Sequence, residues 1–198
     1  MAITALEQFD AVIQRFGKVA GYAIGGSVLT PIITAASGMA PAWPDGLSFM
    51  TSILMLAVLI LVFHFLTTSK RWAFSVLLLA SAAALLLAVG GYTYARGSFV
   101  MRAPLTGDQL TLGCRYRPEI VTYAREKGLD TTRQCPGDDF RELLAKAESD
   151  PFQVWTETSI ANVSYVIASL WIGLFTSLAL FIGSFVIWYT RQPAAPGG

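Results

Sequence analysis

The sequence predicts an all-α membrane protein. It would be a polytopic bundle of four transmembrane helices, led by an amphipathic N-terminal helix and carrying a small disulfide-stapled helical domain outside the membrane. Two observations carry this expectation. Asp, Glu, Lys and Arg are absent from residues 19–44, 46–69, 72–95 and 158–190, which together hold 107 of the 198 residues. The mean hydropathy is +0.55. Charged residues make up 14% of the chain, against roughly 25% in soluble globular proteins. A soluble globular fold and a disordered chain are both excluded on these grounds. The net charge of +1 gives no basis for nucleic-acid binding.

Residues 1–18 read as an amphipathic helix. Leu6, Phe9, Val12, Ile13 and Phe16 recur at helical spacing, with Glu7, Asp10, Gln14, Arg15 and Lys18 between them. Thr4-Ala5-Leu6-Glu7 has the form of a capping box. Such a helix either anchors in the inner interface or packs beneath the bundle.

A hydrocarbon core of about 30 Å takes about 20 helical residues to cross. The first span is expected at about 19–37. It is rich in Gly and Ala and interrupted by Pro31, so a cleaved secretory signal is the alternative. The acidic helical lead-in and Pro41 favour a retained span. The second span, about 47–68, holds the unbroken apolar run from Ile53 to Phe63. The third, about 72–95, follows directly, so Lys70 and Arg71 mark a tight helical hairpin. Residues 158–190 exceed one crossing. Their first turns are expected at the interface, with the fourth span at about 166–188 and Trp188 and Tyr189 in the interfacial aromatic zone. Residues 191–198 form a short tail.

Basic residues near the spans set the orientation. Arg15, Lys18, Lys70, Arg71 and Arg191 fall on one side, and the short 37–45 loop opposite holds none. The expected location is therefore a bacterial inner membrane, with both termini cytoplasmic and residues 96–157 extracytoplasmic.

The 96–157 segment has nine basic and ten acidic residues, an ordinary soluble charge density. Residues 118–127 predict a helix with Pro118 in its first turn and Gly128 past its end. Residues 138–149 predict a second, turning Phe140, Leu143, Leu144 and Ala147 inward. Residues 109–112 have the pattern of a short strand. Cys114 and Cys135, the two cysteines of the chain, each lie shortly before one of these helices. A domain this small needs a staple. A disulfide closing their 22-residue loop would contribute on the order of 3 kcal/mol. A redox role is the alternative, against which stands the lack of close C-x-x-C spacing.

In topology the chain resembles bacterial quinone-coupled disulfide-generating membrane proteins, which also have four spans and a cysteine pair in the second outer loop. They carry a further pair in the first outer loop, where this sequence has Ser37-Gly38-Met39-Ala40-Pro41-Ala42-Trp43-Pro44-Asp45. Without that pair the relay to a quinone lacks its entry, so the resemblance ends at topology.

Inside the predicted spans lies His64, the one histidine of the chain, a proton-relay, gate or metal-ligand candidate by position. It has no intramembrane Cys, His or carboxylate partner, so no metal site is expected and a haem held by two histidines is impossible. No cofactor is expected. Gly17, Gly21 and Gly25 place glycines on successive turns of the first span, and Ser169, Gly173 and Ser177 do the same on the last. Such stripes let helices approach closely, within one bundle or between chains. Thr30, Thr34, Ser159, Asn162, Thr176 and Ser184, with Ser27 and the two stripe serines, are the polar residues a pore would need. Phosphate-binding loops, zinc-protease and serine-hydrolase signatures are absent.

The expectation is a non-enzymatic membrane protein. It would act by assembly with itself or with other membrane proteins, as an accessory or scaffold subunit of an envelope complex or as a pore-type effector. The lipid bilayer is its other partner. The alternatives are a thiol–disulfide oxidoreductase using Cys114 and Cys135, and a small channel or transporter using His64.

Overall fold

The computed structural model describes residues 25–26, 28–41, 44–66, 71–103, 107–131, 135, 140–148 and 150–190. The amphipathic helix expected at 1–18, the start of the expected first span, and the 191–198 tail lie outside these residues. The described chain is mostly helical. Residues 28–36 form α1, followed by α2 (Leu47–Leu66), α3 (Arg71–Phe99), β1 (Val100–Arg102), β2 (Gln109–Thr111), α4 (Pro118–Lys127), α5 (Phe140–Lys146), α6 (Pro151–Val154) and α7 (Glu157–Thr190).

Among the described residues, three helices are long and apolar enough to cross a membrane, over Leu47–Phe65, Phe74–Phe99 and Glu157–Trp188, with mean hydropathies of 2.3, 2.3 and 2.2. These correspond to the second, third and fourth spans read from the sequence. Their runs of Leu, Ala, Val and Phe contain no proline, so every backbone group inside them pairs within its own helix. The chain divides into two compact units, one of Met1–Ala40, Gly46–Gly90 and Trp171–Gly198, the other of Pro41–Asp45 and Gly91–Leu170.

In the first unit, α1 stops in a Schellman motif. Gly38 takes φ 73°, its N–H donates to Ala35 O, and Met39 N–H donates to Thr34 O. Glycine adopts that left-handed conformation without the usual Cβ penalty. Gly46, also left-handed at φ 75°, opens α2 by accepting from the N–H groups of Phe49 and Met50. Packing centres on Met55, Leu59 and Phe63 of α2 and on Phe175 and Ala179 of α7, all buried. A methyl group at Gly183 of α7 would sit 2.8 Å from Val62 Cγ1 and 3.4 Å from Leu59 Cδ2. The close approach of α2 and α7 therefore depends on glycine at 183. The apolar stretch of α3 is 11% buried, against 39% for the stretches of α2 and α7. Val76, Leu79, Leu86 and Leu87 of α3 are exposed, a surface suited to hydrocarbon.

In the second unit, β1 and β2 pair antiparallel with Met101 opposite Leu110. Leu112 N–H donates to Phe99 O, extending the ladder to the end of α3. The helical domain expected here thus also holds a two-stranded sheet. Its second strand matches the strand pattern at 109–112, whereas β1 is three residues long, follows α3 directly and has no strand signal of its own. Helix α4 begins at Pro118 and ends on Gly128 (φ 72°), where Leu129 N–H donates to Ala124 O. Asp150-Pro151 does more than end the preceding helix, because the Asp150 side chain accepts from Phe152 N–H and caps α6. The core comprises Leu112, Tyr116, Ala124, Leu143, Leu144, Ala147, Val154, Trp155 and Ile160. Tyr116 and Trp155 form an isolated antiparallel bridge and their rings stack at 5.9 Å.

Candidate functional site

The two cysteines form a disulfide, Cys114–Cys135. Cys114 sits on a segment, Gly113–Arg115, that runs against the first turn of α7. Ser159 Oγ accepts hydrogen bonds from the amides of both Cys114 and Arg115, 3.2 Å each. Thr156 N–H donates to Arg115 O, so the same short segment is held from both sides. The approach is close enough to exclude any side chain at 113. A Cβ there would meet Ser159 Oγ and would lie 2.6 Å from Trp155 Cβ and 2.8 Å from Trp155 Cγ. Arg117 and Glu157 add an ion pair at 3.9 Å, exposed enough to contribute little.

The disulfide closes the chain around α4, with Cys135 exposed and Cys114 half-buried. Lys146 Nζ lies 4.1 Å above the Tyr123 ring, a cation–π contact between α5 and α4. A groove of about 430 Å³ opens beside the sheet, lined chiefly by Leu110, Phe152, Ile160, Ala161 and Tyr165. Its charged member is Glu157. Among the described residues no three of His, Cys, Asp and Glu gather as metal ligands do.

The remaining residues singled out in the sequence are placed as follows. Ser169, Gly173 and Ser177 lie along one face of α7 at four-residue intervals. Ser169 is exposed, and a methyl group at Gly173 would meet no atom within 4 Å. Ser177 Oγ donates to Gly173 O at 2.8 Å. Gly25 likewise has open space around it, while Gly17 and Gly21 lie outside the described residues. Among the described residues the stripe is thus partly covered, with Gly173 and Ser177 half-buried, and the close helix packing found in the first unit is at Gly183 instead. His64 is exposed on the last turn of α2, with the Phe65 ring edge-on at 5.0 Å. Of the pore candidates, Thr30 donates to Gly26 O and Thr34 to Thr30 O. Ser184 is fully buried and Ser159 belongs to the Cys114 clasp.

Sequence reading missed Gly113 and Gly183, and it singled out Ser159 as a pore candidate rather than as a clasp for two amides. Gly113 resembles any loop glycine. For Gly183 a signal exists, since Gly183-Ser184 is a small pair set among Phe181, Ile182 and Phe185. No known protein family, curated protein or solved structure matches the chain.

Proposed function

We propose that the chain is a non-enzymatic protein of a bacterial inner membrane that works by lateral assembly, with copies of itself or with another membrane protein. One observation carries this reading. Helix α7 packs internally through Gly183, yet Ser169 is exposed and a Cβ at the half-buried Gly173 would meet none of the described residues within 4 Å. In lipid, where helices gain no hydrophobic force from pairing, such a small-residue face is what lets a second helix approach. In this reading the segment at 19–37 supplies a fourth span, both termini are cytoplasmic, and residues 96–157 form an extracytoplasmic platform. The platform's disulfide suits an oxidising compartment. The role is that of an accessory or scaffold subunit, or of an effector that perturbs the membrane after assembly.

The test is stoichiometry after mild solubilisation, by native mass spectrometry. Wild-type protein is expected as an oligomer or with a co-purifying membrane partner, and Gly173→Leu is expected to release monomer without lowering its melting temperature. Monomer alone from wild type, with no partner, overturns the reading. Thiol–disulfide exchange is a second reading, favoured by the exposure of Cys135.

A further inference from the structure

A crevice of about 310 Å³ lies in the second unit between the last turns of α3 and the first turns of α7. Ala95 and Phe99 form the α3 wall, while Val163, Val166 and Ile167 form the α7 wall. These are the two helices that, by length and composition, run on as membrane spans. At its other end the crevice turns polar, where Asn162, Ser159 and Cys114 line it. Ser159 Oγ is already occupied by the amides of Cys114 and Arg115, but Asn162 is exposed. Asn162 is one turn from Val166 on the same helix face. The site is therefore amphiphilic along its length. It has aliphatic and aromatic walls continuous with spanning helices, and an amide side chain where those helices leave the hydrocarbon.

We propose that this crevice holds one phospholipid. Its acyl chain lies between α3 and α7, and its glycerol or headgroup region meets the Asn162 amide. The occupant is a lipid because both walls extend into the bilayer, so an acyl chain can enter sideways without crossing water. A lipid also matches the order of apolar wall and polar end. Sites lined mainly by apolar side chains with few polar groups are the usual form of small-molecule pockets at this volume. This inference rests on the membrane reading above.

The experiment uses the full chain reconstituted in nanodiscs of phosphatidylethanolamine and phosphatidylglycerol, then transferred to mild detergent for native mass spectrometry. Wild type is expected to retain one phospholipid per chain. Val166→Trp, which fills the crevice from an exposed position, is expected to reduce the lipid-bound fraction at least fivefold. Asn162→Leu is expected to reduce it less and to alter the preference between the two headgroups. Leu79→Trp, on the exposed surface of α3, is the control and leaves retention unchanged. Loss that is equal in Val166→Trp and Leu79→Trp, or no retained lipid in wild type, overturns the proposal. So does a dimer that Val166→Trp dissociates, because a second copy would then fill the crevice. Carbonate extraction separates the two levels of failure. Protein released from vesicles by carbonate refutes the membrane reading itself, whereas protein that stays integral but binds no lipid refutes the crevice alone.

Discussion

A single methyl group separates two glycines with opposite expected behaviour. At Gly113 it would collide with Trp155 Cβ at 2.6 Å, and Trp155 is fully buried in the core of its unit. Trp155 Cβ is fixed to its backbone and cannot swing away, so the backbone must shift. Gly113→Ala is expected to cost about 1–3 kcal/mol, the usual range for overpacking. At Gly97, in α3, the same methyl meets nothing within 4 Å. There the change removes a helix-interior glycine and is expected to be neutral or stabilising by about 0.5–1 kcal/mol. Thermal melts of the two variants in detergent check the pair, and a Gly113→Ala protein that melts with wild type would contradict the close approach.

The disulfide allows a sharper separation of roles at the same scale. If Cys114–Cys135 is a staple, Cys114→Ser lowers stability by about 2–4 kcal/mol and leaves no adducts. If it exchanges with other proteins, the same variant accumulates mixed disulfides through Cys135. Non-reducing electrophoresis of cells expressing the variant distinguishes these, and the staple predicts a clean monomeric band.

Among the elements, α2 and α7 meet where α7 has no side chain. Gly183→Leu would drive a branched side chain into Val62, whose Cγ1 is 2.8 Å from the position of a Cβ. Both partners are rigid helices, so the expected result is a loss of the pairing and a melting temperature lower by several degrees. Gly173→Leu on the same helix leaves it unchanged. This contrast also explains what the sequence made legible. Apolar runs of α2, α3 and α7 announce themselves through charge exclusion. The inward faces of α4 and α5 follow from 3.6-residue spacing at Ala124, Leu143 and Leu144. Helix ends at Gly128 and Pro118 follow from the conformations those residues prefer. What stays hidden is contact between distant parts of the chain. Ser159 is 44 residues from Arg115, and no local pattern tells a serine that clasps two amides from one facing lipid. The partner strand β1 is hidden for a related reason, since Val100 and Met101 suit the end of an apolar helix as well as a strand edge.

For the whole molecule, topology is the property most open to test. The proposed topology puts both termini on one side and residues 96–157 on the other, the arrangement that four spans require. A reporter that fluoresces only in the cytoplasm, fused after Gly198, is expected to be bright. An alkaline phosphatase inserted after Gly128, in the exposed turn closing α4, is expected to be active. A dim C-terminal fusion would remove one span from the count and leave three, the number of described helices long enough to cross. The candidate site was legible to a different degree. Composition divides the chain into an apolar part and a charged part, but which surface of α7 remains open depends on where its neighbours pack, and that is decided in three dimensions.

The ring of covalent bonds through Cys114 and Cys135 also changes what a protease can do to the molecule. Lys127 is exposed at the end of α4 and precedes the left-handed Gly128, so trypsin has an accessible target there. One cut leaves residues 1–127 and 128–198 as separate polypeptides still joined through sulfur. The nicked protein keeps its full-length mass in non-reducing electrophoresis and separates into two bands when a thiol is added. A break in the backbone at that point is therefore survivable, and the molecule comes apart only where oxidising conditions end.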